Sequence, residues 1–327
     1  RGLKDYERQK AYFERFASKI LQTSNYMFVY RDLAREIDNP TQMSDKNLFT
    51  SFGHIDTYLP DEKTPVSFIK RWIRDPNMKT YYSITFWPYN LDTGDASPSR
   101  AFNMFRGFPV PHNVHVPPAE AFKLLEAFHY IGIQLCGGDA FNYQFLWYCL
   151  AHNVQNPATR LSHAIVFQNK PQGAGADSYF DAIGRAVFGL TCYSNSSSLE
   201  NYIGKHAEGL VGKKLVVINE LELHDSTVNQ SRIKELITCS RIMVDPKHQR
   251  PYEIEVFAFI VFFSNRLNAI NFDNNDNERR FVLFQANDTC CNGFAPEDWT
   301  YLHTTLFQSP IFKRALYDYR AAAAALA

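Results

Sequence analysis

Hydrophobic positions in the first part of the chain predict short helices and strands. Residues 3–21 carry one apolar stripe at helical spacing, formed by Leu3, Tyr6, Phe13, Phe16 and Ile20. A second short helix is predicted around residues 65–75, where Asp75-Pro76 ends it. Residues 81–87 alternate as in a strand, and residues 101–108 are its candidate partner. We therefore expect a lead domain over residues 1–115, mainly helical with a small β element.

Two longer helices are predicted next, and they form a helical collar over residues 116–158. Pro117 and Pro118 open the first of them, whose apolar face consists of Phe122, Leu125, Phe128 and Ile131. Asp139 has the side chain of an N-cap for the second helix, which runs through Tyr148 to His152.

After residue 158 the pattern changes to short apolar strands that alternate with helices. The four predicted strands are Ala164–Phe167, Leu215–Ile218, Phe257–Phe263 and Phe281–Phe284. Such alternation predicts a three-layer α/β core with a mostly parallel sheet, which we place at residues 159–290. Helices follow over residues 291–320. Residues 321–327 form an alanine-rich tail, either a helix or a stand-in for unassigned residues.

Composition narrows the class of protein. Hydrophobic residues make up 45% and charged residues 21% of the 327 residues, as in a folded soluble protein. No apolar run is long enough to cross a bilayer, no signal peptide opens the chain, and the six cysteines lack metal spacing. We therefore expect a reduced, cytoplasmic protein without a membrane partner. The chain opens on Arg1 without Met, so we expect a piece of something longer.

A glycine-rich loop follows the first core strand. The run Lys170-Pro-Gln172-Gly173-Ala174-Gly175-Ala176-Asp177-Ser178 lies between a predicted strand and a predicted helix. That arrangement cradles phosphates with backbone N–H groups. The strict phosphate-loop pattern would have Gly at Lys170, Lys at Ala176, and Ser or Thr at Asp177. The alternative is a plain glycine-rich turn.

The second predicted strand ends in Asn219-Glu220. An acidic residue at the carboxyl end of a buried strand is where an ATPase places its metal ligand and its water-activating carboxylate. Glu220 fits the water-activating role, while Asn219 stands where Asp is more usual. The alternative is a solvated Glu, and the nearby Glu222 and Asp225 make the assignment less unique.

Two further strand ends carry polar groups. Asn265 follows the third strand and is placed to orient the attacking water, or else is a turn residue. Arg279 and Arg280 precede the fourth strand, as an arginine finger for a neighbouring subunit's nucleotide or as a surface pair. All four features in this order at strand ends are hard to explain by chance.

Residues 159–285 resemble the AAA+ motor domain of superfamily 3 helicases, in the branch of poxvirus-type and phage primase-helicases. The motifs that carry the resemblance are Gln172–Ser178, Val216–Glu220, Phe262–Asn265 and Arg279–Phe281. The segment from Ile233 to His248 is similar too, as are residues 68–75 and 101–107. The resemblance implies ATP bound by residues 172–178, and Mg²⁺ held by Ser178 or Asp177 with Asn219. It also implies a hairpin whose Lys247 and His248 contact single-stranded DNA.

The function implied by the resemblance is an ATP-dependent replicative DNA helicase that works as a ring, most simply a hexamer. Six copies of one basic hairpin would reconcile DNA binding with the zero net charge. Ala176 in place of Lys, whether engineered or natural, predicts an inactive motor. The alternatives are a nucleotide-dead AAA+ scaffold and another P-loop DNA motor for packaging or transposition. A primase-polymerase domain upstream of Arg1 and a host-cell cytoplasmic location are further expectations of the resemblance.

Overall fold

The computed structural model describes residues 5–32, 37–58, 64–89, 100–109, 114–168, 175–203, 208–219, 227–245, 251–264, 279–287 and 300–323. The chain divides into two compact units. The first comprises residues 1–107 with 248–252, and the second comprises residues 108–247 with 253–327. Within the described ranges, no helix is long and apolar enough to span a membrane.

In its described residues, the first unit contains three helices and eight strands, more strand than the small β element that the sequence predicts. The helices are α1 (Tyr6–Phe13), α2 (Asp45–Phe52) and α3 (Phe68–Ile73). The strands are β1 (Ala17–Ile20), β2 (Asn25–Asp32), β3 (Ile37–Met43), β4 (Asp56–Thr57), β5 (Val66–Ser67), β6 (Thr80–Tyr81), β7 (Ser83–Thr85) and β8 (Ala101–Asn103). A four-stranded sheet has the order β3-β2-β1-β6. An aromatic core, in which Phe13 makes edge contacts with Phe68 and Trp72, packs the helices together.

The predicted helix over residues 3–21 is wrong in its second half. The helix ends at Phe13, and residues 17–20 form β1, which pairs antiparallel with β2. Ala17 and Ile20 are buried in the strand, and their spacing also fits one face of a helix, so helical spacing did not distinguish the two. The predicted pairing of residues 81–87 with 101–108 is confirmed as the parallel pair β7–β8.

The first two helices of the second unit begin where the sequence predicts. In the described part of this unit, the helices are α4 (Pro118–Leu135), α5 (Ala140–Gln155), α6 (Ala176–Ile183), α7 (Gly189–Cys192), α8 (Glu200–Ile203), α9 (Thr227–Thr238) and α10 (Pro310–Ala323). The Asp139 carboxylate caps α5 by accepting from the backbone N–H groups of Phe141 and Asn142, at 2.7 and 3.2 Å. Single π-turns follow α6 at Gly184–Phe188 and precede α10 at Leu302–Leu306.

A five-stranded parallel sheet forms the centre of the second unit. Its strands are β9 (Ala164–Gln168), β10 (Tyr193–Ser196), β11 (Leu215–Ile218), β14 (Phe259–Ser264) and β15 (Phe281–Gln285). Their order is β10-β11-β14-β9-β15, and every neighbouring pair is parallel. The four predicted strands and their parallel arrangement are confirmed, and β10 is an additional strand that the sequence did not reveal. A separate two-stranded sheet pairs β12 (Arg241–Val244) with β13 (Tyr252–Glu255), the two strands of the predicted hairpin.

Helices cover both faces of this sheet. On one face, Val216 and Phe262 pack with Tyr202 of α8 and with Ile233 and Leu236 of α9. On the other face, the Phe167 and Phe263 rings lie 5.4 and 5.5 Å from the ring of Phe180 in α6. The result is a three-layer α/β core, because strands buried on both faces need apolar cover on each side.

Gly184 allows α6 and β10 to pack closely. A Cβ on Gly184 would lie 2.4 Å from Cδ2 of Tyr193. We expect Gly184→Ala to lower the free energy of unfolding by about 1–3 kcal/mol, because the ring of Tyr193 must move. Chemical denaturation measures this decrease.

The same substitution in a Tyr193→Leu background is the control. Gly184 has helical dihedral angles, so alanine is the better residue there once the ring is removed. The destabilisation should then shrink or reverse. An equal destabilisation in both backgrounds would show that the close approach to Tyr193 is not the cause.

Candidate nucleotide site at the carboxyl edge of the sheet

The parallel strands end together at one edge, and the direction of winding reverses at β9. From β9 the chain crosses to the far strand β10, whereas β15 returns to pair with β9 on its other side. Open α/β sheets bind ligands outside the carboxyl ends of their strands, at such a switch point. Strand β9 ends at this position.

Helix α6 begins at this edge with a conformation that needs glycine. Gly175 immediately precedes the helix and has a φ of 78°, in the left-handed region that glycine adopts without strain. The first-turn N–H groups and the helix dipole make this terminus favourable for an anion. Gln172, Gly173 and Ala174, which precede it in the predicted loop, lie outside the described residues.

The first turn of α6 contains the other loop residues named from the sequence. Ala176 is buried, with 5% of its surface exposed, and it brings no charge to this edge. Asp177 is exposed and Ser178 is half-buried. The turn therefore offers one carboxylate and one hydroxyl, but no cation, at the end of the sheet.

Asp177 is hydrogen-bonded to two amide side chains from neighbouring strands. Nδ2 of Asn219 donates to Oδ1 of Asp177 at 2.7 Å and to Oδ1 of Asn195 at 2.8 Å. Nδ2 of Asn195 also donates to Oδ1 of Asp177, at 3.4 Å. The backbone supports this cluster, because the N–H of Asn219 donates to the carbonyl oxygen of Ser196 at 3.0 Å. Two residues from separate predicted motifs, Asp177 and Asn219, are thus in direct contact.

The donor atoms of this cluster suit a hard cation. Mg²⁺ prefers carboxylate and carbonyl oxygens and keeps several waters, so one protein carboxylate with phosphate oxygens is a common arrangement. Oδ1 of Asn219 is buried and has no hydrogen-bond partner. Within the described ranges, no three His, Cys, Asp or Glu side chains are placed to hold a metal ion. The cluster therefore fits a cation that binds together with a phosphate ligand.

Asn195 was not predicted from the sequence. It lies on β10, whose residues Tyr-Ser-Asn-Ser contain a single apolar side chain, so no hydrophobic run marked the strand. Only the pairing of β10 with β11 brings Asn195 beside Asn219.

The two predicted arginines lie at the amino ends of the strands, opposite the carboxyl ends near Asp177. The carbonyl oxygen of Arg280 accepts from the N–H of Ala164 at 2.7 Å, at the start of β9 and β15. A strand rises about 3.3 Å per residue, so the five residues of β15 separate Arg280 from the carboxyl edge. Arg279 and Arg280 are therefore not brought together with Asp177 of their own chain.

Four other predicted site residues lie outside the described residues: Glu220, Asn265, Lys247 and His248. Their chain neighbours are placed. Asn219, which precedes Glu220, is in the cluster with Asp177, and Ser264 is the buried last residue of β14. The base of the hairpin that would carry Lys247 is braced by Arg241, which contacts Glu253 at 3.3 Å and Glu255 at 3.2 Å.

Solved structures similar to the chain show its fold. The apo C-terminal region (305–718) of NrS-1 aligns with a TM-score of 0.67 and 16% identity, over 91% of this chain and 65% of that one. An A-form apo structure of the same region aligns with a TM-score of 0.65 and 17% identity, over 94% and 68%. The chain thus spans less than two thirds of the first of these structures. It has the same fold as that region.

Other likenesses are weaker or shorter. A family of unknown function, DUF5906, matches residues 167–280, which run from β9 to the start of β15. No curated protein sequence matches the chain. The X-ray structure of JCV helicase aligns with a TM-score of 0.36 and 12% identity, over 61% of this chain and 60% of that one, which is too low to show a shared fold.

Proposed function

We propose that this chain is the motor part of an ATP-dependent DNA helicase, which translocates on single-stranded DNA as a ring, and that Ala176 makes it inactive. The contact between Asp177 and Asn219 carries the proposal. These residues come from the two motifs that bind phosphate and metal in P-loop ATPases, and they meet 2.7 Å apart at the switch point of a parallel sheet. A glycine-rich turn without function gives no reason for that meeting.

The proposed roles follow from position. Residues 172–178 would surround the phosphates of ATP, with the N-terminus of α6 facing the negative charge. Asp177 or Ser178, with Asn219, would face Mg²⁺. Glu220 follows Asn219 directly, so its carboxylate is the proposed base for the attacking water. Asn265, which follows β14, would orient that water. When bound, Mg²⁺ would neutralise charge that develops on the phosphates.

The ring follows from the arginines. Arg280 lies at the amino ends of the strands, away from Asp177, which supports a role at a nucleotide bound to another subunit, with Arg279 beside it. A closed ring, six subunits in the simplest case, gives every arginine a neighbouring site. Lys247 and His248 would then line the central channel in several copies.

A nucleotide-dead scaffold is the second candidate, and one observation favours it. Ala176 brings a buried methyl group, rather than an ammonium, to the place where the motif has lysine. A chain that had lost its lysine long ago and now only forms rings would have the same fold. Restoring the lysine separates the two candidates.

The DNA-binding hairpin tests the proposal. We expect Lys247→Ala to weaken binding of single-stranded DNA of any sequence, because Lys247 would contact phosphates and not bases. The dependence of log affinity on log salt should become less steep by about 0.7 for each phosphate that the hairpin no longer neutralises. Fluorescence anisotropy with labelled oligonucleotides at several salt concentrations measures both effects.

Lys123→Ala is the matched control, since Lys123 is an exposed lysine on α4. It should leave affinity and salt dependence unchanged. In an Ala176→Lys background, Lys247→Ala should also abolish unwinding of a forked duplex while leaving basal ATP hydrolysis. Equal affinity and equal salt slope for Lys247→Ala and its parent would remove the hairpin from the DNA path.

A further inference from the structure

We infer that Asp177 is the residue that contacts Mg²⁺, through Oδ2, and that Asn195 is a positioning residue that aims this carboxylate. The inference rests on the proposed function, because it concerns the same nucleotide site. It gives a role to Asn195, a side chain on a strand with no recognisable motif, and it chooses Asp177 over Ser178 as the metal-side ligand.

The hydrogen bonds fix the orientation of all three side chains. A carboxylate oxygen only accepts hydrogen bonds, so the amide groups facing it must present their Nδ2 atoms. Asn219 and Asn195 both donate to the same oxygen, Oδ1 of Asp177, at 2.7 and 3.4 Å. The second N–H of Asn219 donates to Oδ1 of Asn195 at 2.8 Å, which closes the cluster. Neither amide can turn over without breaking its hydrogen bond to the carboxylate.

In this arrangement the two carboxylate oxygens of Asp177 have different roles. Oδ1 accepts the hydrogen bonds from both side-chain amides. Oδ2 is therefore the oxygen that would contact a cation at the exposed first turn of α6. Carboxylates that bind metals are commonly held by outer hydrogen bonds of this kind. Asn219 then acts on the metal through Asp177, because its nitrogen, and not its oxygen, faces the carboxylate.

The cluster also has a cost, which argues against a purely structural role. The orientation that Asp177 imposes on Asn219 leaves Oδ1 of Asn219 buried without a hydrogen bond. A buried unsatisfied oxygen disfavours folding and calls for an explanation, of which a nearby ion is one. An apolar side chain at position 219 would fill the space without that penalty.

The test compares Asn195→Leu with Asn195→Asp in the Ala176→Lys protein. Leucine has nearly the same shape and makes no hydrogen bond, so the Mg²⁺ concentration for half-maximal binding of a fluorescent ATP analogue should rise about tenfold or more. Aspartate adds a second carboxylate beside Asp177, so that concentration should fall. Binding of the analogue in EDTA should change less than about twofold for Asn195→Leu, since the loop and the helix terminus are untouched, whereas the added carboxylate of Asn195→Asp should weaken it by repelling the phosphates. A structural role would instead impair both variants in the same direction.

Asn201→Leu is the matched control. Asn201 is also exposed, but its Nδ2 donates to Oγ of Ser196 at 3.1 Å and not to Asp177. It should leave the Mg²⁺ dependence unchanged, and thermal unfolding confirms that every variant is folded. If the analogue binds in EDTA and Asn195→Leu keeps the parental Mg²⁺ dependence, the inference is wrong and the proposed function stands. If folded Ala176→Lys protein binds no analogue with or without Mg²⁺, both are wrong.

Discussion

The substitution Ala176→Lys is expected to give ATP hydrolysis at least about a hundredfold above the chain with Ala176. A lysine at this position would place an ammonium group on the phosphates, at a helix terminus that already favours anions, and one such contact to developing charge is typically worth that much. Gly175 already has the left-handed conformation that precedes the first turn of α6. Phosphate release with and without single-stranded DNA measures the effect.

The variant Ala176→Met separates the effect of the lysine charge from the effect of its bulk. Ala176 is buried, so any long side chain must extend out from a covered Cβ. Ala176→Met therefore has the length of lysine without the charge, and it should remain inactive.

Glu220→Gln in the Ala176→Lys background should bind ATP but not hydrolyse it, since the proposed base is removed while its shape is kept. If a folded, ring-forming Ala176→Lys protein hydrolyses ATP no faster than background, the nucleotide-dead scaffold is favoured instead.

Strands with a continuous apolar run were predictable, and the polar strand β10 was not. The runs that became β9, β11 and β14 are apolar because every residue in them is buried, and the edge strand β15 has an apolar run although it is partly exposed. Strand β10 pairs on one side only, and its polar residues resemble a loop. In the first unit, β1 has a spacing that fits a helix as well as a strand, and only its pairing with β2 decides.

The site was predictable as separate motifs but not as a cluster. Asp177 and Asn219 were recognised because each follows a strand with a known pattern. Their hydrogen bond depends on the strand order, which the sequence does not contain. Asn195 joins them only because β10 pairs with β11 in parallel register. The resemblance to superfamily 3 helicases predicts that Lys247 and His248 contact DNA, and that prediction is untested.

A buried lysine at the amino ends of the strands, opposite the candidate site, affects the stability of the folded protein. Lys214 precedes β11 and is fully buried, and its Nζ donates to the carbonyl oxygen of Phe257 at 2.8 Å. Burial, and to a lesser extent the charge of Arg160, lowers the pKa of Lys214 to about 7. Burial and the charge of Lys214 also lower the pKa of His152. The charged form of Lys214 is therefore disfavoured in the folded protein.

The direction of the pH dependence follows from that pKa. Lysine in an unfolded chain has a pKa of about 10.4. Between pH 7 and 10 the unfolded chain binds a proton at Lys214 and the folded protein does not, so the free energy of unfolding rises with pH in this window. Below pH 7 both states are protonated and the full penalty of burying the charge remains.

We expect Lys214→Met to stabilise the protein at neutral pH by about 1–3 kcal/mol. A fall in pKa from 10.5 to about 7, at about 1.4 kcal/mol per pKa unit, sets an upper limit of about 5 kcal/mol on the penalty that methionine removes. Removal of the hydrogen bond to the carbonyl oxygen of Phe257 offsets about 1–3 kcal/mol of it. Methionine has a similar length and fills the same space. A unit of this size should gain several degrees in Tm.

The pH dependence distinguishes this cause from better packing. The advantage of Lys214→Met over the parent should be largest at pH 6.5 and should shrink steadily by pH 9.5, because removing the proton from Lys214 on folding costs less as the pH rises. Lys123→Met, at an exposed position on α4, is the matched control and should show no such trend. Chemical denaturation at four or five pH values gives both curves. A constant difference across this range would mean that Lys214 keeps its proton in the folded protein at every pH tested, and that burial of its charge does not set the pH dependence of stability.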